Sequence, residues 1–186
     1  MNETLKLIAD RYSCRNFSDK SIPEEDLRAI AQAAIQAPSA MNMQPCFFAV
    51  VTDGALLADL DEAGMTHIAA LPDKTVYERM QSRGGRLLYN APCAIIIALN
   101  AQPVNEYKKV DLGIAAENIV LAAASLGIAS CHHGLTEFAF QGNKAAEFTK
   151  RMNFPEGYEF GLAVLLGYSD QSNAPHEPDQ NKLAWI

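Results

Sequence analysis

The sequence predicts a single domain of mixed helix and sheet. Three observations carry this. The chain has 186 residues, within the roughly 100–200 residues of one domain. It contains short apolar runs of strand length at 47–52, 93–99 and 160–166, the pattern of strands covered on both faces. Between them lie longer stretches with helical spacing and helix-start signals.

Taken in order, 4–10 reads as a short helix with Leu5, Leu7 and Ile8 inward. Ser21-Ile22-Pro23-Glu24-Glu25 is a helix start, with proline in the first turn and acids against the dipole. That helix runs through Leu27, Ile30, Ala34 and Ile35, and must stop by Ala37 because Pro38 disfavours helical geometry in the residue before it. The run 47–52 is a strand, 55–68 a helix, and 74–88 another helix ending before Pro92. Cys93 to Leu99 (CAIIIAL) is the strongest strand. Helix is expected over 111–126, strand over 128–132, helix over 143–152 and strand over 160–166. The tail 169–186 is rich in Pro and Asn and expected to be extended; the whole of 1–186 forms one domain with this tail.

Composition removes several classes. With 49% hydrophobic and 20% charged residues, the chain is neither disordered nor low-complexity. A net charge of −7 argues against nucleic acid as a partner, because phosphate neutralisation needs an excess of Lys and Arg. It also disfavours docking on an anionic membrane surface. The cysteines Cys14, Cys46, Cys93 and Cys131 form no CxxC pair, and reduced core thiols are expected. The first residues lack the pattern of a signal peptide, so a cytoplasmic location is expected.

The stretch GIAAENIVLAAAS, 113–125, is apolar almost all round, interrupted by Glu117 and Asn118. Such a helix is buried or in a membrane; this one is too short, and its charge too central, for a span of about 20 apolar residues. One chain of this size covers such a helix with difficulty, so a second subunit is expected to cover part of it. A purely intrachain core helix is the other reading.

Four sets of residues can carry chemistry. In an extended Arg11-Tyr12-Ser13-Cys14-Arg15, alternate residues Arg11, Ser13 and Arg15 face one way and could receive a phosphate; alone, the pentapeptide reads first as two solvated arginines. The two-proline loop 37–45, with Pro38, Ser39, Ala40 and Asn42, feeds directly into a strand and suits a planar heteroaromatic ligand or an ordinary turn equally. Cys131, His132, His133 and Gly134 end the 128–132 strand. Adjacent histidines on a strand point apart, so no metal is expected. Gly134 lets a ligand approach the backbone, and His133 is a proton donor or a satisfied structural residue. Arg79, Arg83 and Arg86 share one helix face if 74–88 is helical; Arg86 could reach a site. No GxGxxG, GxSxG, P-loop or HExxH is present, and no catalytic side chain is assigned.

In this order, RYSCRNF (11–17), APSAMNMQP (37–45) before FFAVV, LYNAP (88–92) before a strand, DLGIAAENIVLAAASLGIASCHHG (111–134) and FGLAVLLGY (160–168) resemble the nitroreductase family of flavin-dependent oxidoreductases. The resemblance implies an α+β fold, a mainly antiparallel sheet flanked by helices, in an intertwined homodimer with FMN at the subunit interface. It implies that Arg11, Ser13 and Arg15, with the Tyr12 backbone, grip the phosphate and ribityl chain. Pro38, Ser39, Ala40 and Asn42 would line the flavin from the other subunit. Cys131, His132, His133 and Gly134 would pass along its ring, and Arg86 would stand near the pyrimidine edge.

The implied activity is ping-pong hydride transfer from NAD(P)H to a nitroaromatic or quinone-type acceptor. The family often has a cation after the last strand; here only His176 and Lys182 are available, among acids. Flavin fragmentation, dehalogenation and passive flavin binding are the alternatives. The absence of a long lid insertion between 90 and 115 favours the generalist reductase.

Overall fold

The computed structural model describes residues 1–102, 106–171 and 173–186. Residues 103–105, inside the stretch expected to lack a lid, and residue 172 of the tail lie outside the described residues. Six α-helices are described: α1 (Glu3–Asp10), α2 (Glu24–Ile35), α3 (Gly54–Ala70), α4 (Thr75–Gln81), α5 (Lys108–Ser125) and α6 (Ala145–Arg151). The strands are β1 (Cys46–Val51), β2 (Cys93–Asn100), β3 (Ala129–His133) and β4 (Tyr158–Gly167). They form one antiparallel sheet in the order β1-β2-β4-β3. The fold is therefore α+β, with the antiparallel sheet anticipated above.

The sheet is covered on both sides, and this explains the unbroken apolar runs. On one face Ala94, Ile96, Ala163 and Leu165 pack with Leu56, Leu60 and Ile68 of α3 and Phe148 of α6. On the other, Cys93, Ile95, Ile97, Val164 and Leu166 pack with Leu27 and Ile30 of α2 and Ile119, Val120 and Ala123 of α5. With β2 and β4 at the centre, both sets of alternating side chains must be apolar. The edge strand β1 departs from the expectation of full burial. Its Val50 is 40% exposed, because an edge strand has a neighbour on one side only.

Two further expectations are corrected. The helix expected over 74–88 ends at Gln81. Gly84 (φ 93°) and Gly85 (φ 70°) then turn left-handed, which a helix cannot contain. Arg79, Arg83 and Arg86 therefore do not share a helical face. In α1, Leu5 and Ile8 are 52% and 48% exposed rather than inward. The single chain also leaves Ile114 of the apolar stretch 113–125 at 36% exposure, and Val110, one turn before it on α5, at 57%.

Close backbone packing fixes two glycines at the sheet. Gly161 sits where the β2–β4 register slips, between the pairs Ile97–Leu162 and Ala98–Phe160; a Cβ there would lie 3.1 Å from the Ile97 carbonyl oxygen. At Gly167 a Cβ would come within 2.7 Å of Pro92 and 2.9 Å of Phe17. A proline ring and a buried aromatic cannot swing aside. Gly167→Ala is expected to destabilise the fold by about 1–3 kcal/mol, lowering Tm by several degrees in a thermal melt.

Candidate functional site

The segment after α1 is tied along the free edge of β3. The Cys14 amide donates to the Ser130 carbonyl at 2.9 Å, and Ser13 pairs with Ser130 in a parallel bridge. The Phe17 amide donates to the Tyr89 carbonyl at 3.2 Å and the Ser18 amide to that of Tyr168 at 2.8 Å. Cys14 and Phe17 are buried and anchor the segment, while Arg15 and Asn16 stay exposed. The Tyr12 hydroxyl donates to the Gln171 carbonyl at 3.0 Å, joining this segment to the tail.

The two arginines of the segment have different surroundings. Arg11 approaches Glu117 of α5 at 3.8 Å, and Glu117 lies 3.6 Å from His132. The Arg15 guanidinium donates to the Ser13 carbonyl at 3.3 Å and has no carboxylate partner among the described residues. It lines a cavity of about 270 Å³ with Cys14, Asn16, Arg83, Ser169, Gln171 and Asn173. Arg83 likewise has no carboxylate partner among the described residues; its guanidinium donates to the Tyr89 hydroxyl at 3.4 Å. Arg86, singled out from the sequence, instead faces buried Asp61 at 3.7 Å. Burial raises the Asp61 carboxyl, opposed by the Leu88 amide, which donates to it at 2.8 Å, and by Arg86. The sequence reading singled out Arg86, whereas the structure brings Arg83 into the cavity with Arg15. The signal for Arg83 was the Gly84-Gly85 pair that ends the helical path one residue later.

Alternation along β3 separates its last residues. His132 turns toward Glu117 on α5, and burial lowers its pKa against that carboxylate. Cys131 and His133 turn to the other side of the strand, where both feel the Arg15 charge. Burial raises the Cys131 thiol, which stays protonated and is no nucleophile. His133 is 3% exposed; its Nδ1 is 2.7 Å from the Thr136 hydroxyl, and its ring meets Tyr89 edge-on at 5.3 Å. Its Nε2 is buried with no hydrogen-bond partner among the described residues. Beyond it, Gly134 opens a 3-10 segment, and a Cβ there would meet nothing within 4 Å. No group of three His, Cys, Asp or Glu that could hold a metal occurs among the described residues.

The loop 37–45 is the second component. Met41, Asn42 and Gln44 all adopt left-handed φ of 46–54°, a conformation that costs an ordinary L-residue about 1–2 kcal/mol. The Ser39 hydroxyl accepts from the Gln44 amide at 2.9 Å, and the Asn42 side-chain oxygen accepts from the Gln44 side chain at 3.1 Å. The Ala40 amide donates to Asp111 of α5 at 3.0 Å. Pro38 and Ser39 line a small cavity of about 60 Å³ with Cys46 and Asp111. This cavity shares no lining residue with the one around Arg15 and Arg83. The sequence-predicted residues thus fall into two groups: Arg15, Cys131 and His133 together, and Pro38, Ser39, Ala40 and Asn42 together. Arg11 and His132 meet at Glu117, and Arg86 is drawn to Asp61.

Burial, with the Arg15 charge second, depresses the His133 imidazole from 6.5 to about 4. An unfolded chain therefore takes up this proton below pH 6.5 while the folded one does not. The contribution of His133 to stability is full above pH 6.5 and falls as the pH drops toward 4, by on the order of 3 kcal/mol. Urea midpoints measured from pH 7 to 4 should decline less steeply in His133→Gln than in the parent; equal slopes would contradict the assignment.

The nitroreductase family model matches residues 8–168. A relative from Archaeoglobus fulgidus, whose name couples NADH dehydrogenase with NAD(P)H nitroreductase, is 32% identical over 96% of this chain and 92% of its own length. A crystal structure of a nitroreductase with bound FMN from Desulfitobacterium hafniense superposes with a TM-score of 0.96 at 46% identity, covering 100% of this chain and 99% of that one. Another, a nitroreductase with bound FMN from Bacteroides fragilis, gives 0.89 at 29% identity, with full coverage of both chains. The shared fold and the family match over most of the length lead to one conclusion: this chain belongs to the nitroreductase family.

Proposed function

We propose that this protein binds FMN and passes hydride from NAD(P)H to an electron-poor acceptor of the nitroaromatic or quinone type. The observation that carries the reading is the pair Arg15 and Arg83, two guanidiniums sharing one cavity with no carboxylate partner among the described residues, in a chain of net charge −7. Unpaired cations brought together in an acidic protein call for an anionic ligand. The FMN of the relatives from D. hafniense and B. fragilis, and the nicotinamide nucleotide in the name of the A. fulgidus relative, supply its identity.

When bound, FMN supplies hydride acceptance and hydride donation in alternate, ping-pong half-reactions. The protein's residues bind and orient it. Arg11, Ser13 and Arg15, with the Tyr12 backbone, take the phosphate and ribityl chain; releasing Arg11 from its solvated pairing with Glu117 costs at most about 1 kcal/mol. Arg83 replaces Arg86 at the pyrimidine edge, where a fixed positive charge stabilises the negative charge that reduction adds. Open space beside Gly134 admits the ring to the backbone. The strand end Cys131, His132 and His133 passes along the ring by its backbone; neutral His133 and protonated Cys131 offer no acid or base poised near pH 7, in keeping with chemistry that needs none.

The loop residues Pro38, Ser39, Ala40 and Asn42 line the cofactor of a second copy in a homodimer. Two features support this: the loop lies apart from the Arg15 cavity within one chain, and apolar Val110, Ile114, Met41 and Met43 are exposed nearby in sequence or on the same elements. Sedimentation should give about twice 20.2 kDa; an FMN-loaded monomer would remove the dimer from the reading.

Three measurements test the rest. The protein purified with FMN should be yellow and bleach on anaerobic addition of NAD(P)H; colour without bleaching means a passive flavin carrier. Arg11→Ala combined with Arg15→Ala should leave a folded but colourless protein. Arg83→Ala should shift the midpoint potential of bound flavin to more negative values, alike for FMN and riboflavin; an unchanged potential would take Arg83 away from the ring.

A further inference from the structure

Asp111 is an unusual residue to bury. It stands in the first turn of α5 and is 4% exposed. One carboxylate oxygen, Oδ1, accepts the Ala40 amide at 3.0 Å; the other, Oδ2, is buried with no hydrogen-bond partner among the described residues. Removing a carboxylate from water for a single hydrogen bond is costly. An apolar residue would pack the helix at less cost, so the carboxylate must return something elsewhere.

The return lies in the loop it touches. Ser39 to Gln44 holds three non-glycine residues in left-handed geometry. The other side-chain ties across it, from Gln44 to Ser39 and from Gln44 to Asn42, are exposed and stay within the loop. Water competes with such bonds. The Ala40–Asp111 bond is different: it is partly buried and joins the loop to a helix 71 residues away in sequence. At the loop's end, the Cys46 thiol is pushed up to about 11, first by burial and then by the negative charge of Asp111. Cys46 thus stays protonated and does not compete as an anion.

We infer that Asp111 is a positioning residue: through its hydrogen bond to the Ala40 amide it holds the 39–44 loop in the strained shape that presents Ser39 and Asn42 to the flavin. This rests on the proposed FMN reading for its consequence, and on the loop geometry alone for its cause. A loop left free would populate relaxed backbone conformers, and binding would first have to gather them. The carboxylate acts through the backbone of Ala40.

The test deletes each partner of the bond separately. Asp111→Ala removes the acceptor. Ala40→Pro removes the donor, and Ser39, already extended at φ −134°, ψ 154°, tolerates a following proline. Each variant should raise the FMN Kd about tenfold, the loss expected for one hydrogen bond to a charged group. The double variant should bind no worse than either single one, because both remove the same bond. Asp111→Asn, which keeps the oxygen acceptor, should bind within about threefold of the parent.

In the flavin-free protein, hydrogen exchange of amides 40–44 should be accelerated in Asp111→Ala and not in Asp111→Asn. This arm reads the anchor even if the parent binds no FMN, a result that would remove the flavin reading instead. Should Asp111→Ala not fold, Ala40→Pro against the parent carries both measurements, with exchange read at amides 41–44 because proline has no amide hydrogen. Unchanged exchange and unchanged FMN affinity in Ala40→Pro would overturn the inference. So would additive losses in the double variant, or Asp111→Asn as weak as Asp111→Ala.

Discussion

The pairing of the Ser13–Cys14 backbone with Ser130 on the free edge of β3 is the constraint on which the site depends. A sheet edge offers unpaired amides and carbonyls that must find partners. Here the segment leaving α1 supplies them, and buried Cys14 and Phe17 hold it in place. Once this pairing is made, the two-residue alternation of β3 decides which neighbours meet: His132 goes to Arg11 and Glu117, while Cys131 and His133 go to Arg15. A one-residue slip would exchange the two sets. The glycine at 167, wedged between Pro92 and Phe17, bears on the same register from the β4 side.

Charge placement around this edge follows a simple rule. Arginines that meet a carboxylate are spoken for: Arg86 by Asp61 and Arg11 by Glu117. Asp61 is buried and takes the nearest cation, because an unpaired buried carboxylate is costly. That removes Arg86 from the open cavity and leaves Arg83, turned by Gly84 and Gly85 and held by the Tyr89 hydroxyl, beside Arg15. Tyr89 itself takes a left-handed φ of 53°, a local strain carried by the residue that contacts both Arg83 and His133.

What was legible in the sequence followed from short-range physics. Strands covered on both faces announce themselves as unbroken apolar runs, so β2 and β4 were readable. Pro23 and Pro38 bracketed α2 for the same local reasons. What was not legible depended on contacts distant in sequence. The 74–88 helix was overextended because Arg and Leu continue a helical pattern through two glycines whose left-handed turns end it. Leu5 and Ile8 look inward by spacing, yet about half of each stays exposed in the single chain. Asp111 reads as an ordinary helix-start acid; its burial and its bond to Ala40 come from folding two segments 71 residues apart onto each other. The family resemblance was carried by the order of several weak motifs, each of them local, and the match over residues 8–168 bears it out.

The distribution of titratable groups at the β3 edge has a chemical consequence of its own. Two groups that feel the Arg15 charge, the Cys131 thiol and the His133 imidazole, are both held neutral at pH 7 by burial. A charged imidazole there would add to the positive potential, and a thiolate would cancel part of it; neither forms at pH 7. The field in the cavity is then set by guanidiniums, which do not titrate in the working range of proteins. A site meant to hold an anionic ligand while the ligand's own charge changes gains from a constant background. Proton uptake by the protein would offset the charge being stabilised. Burial of His133 and Cys131, costly in itself, thereby keeps both groups from changing the charge of the cavity around pH 7.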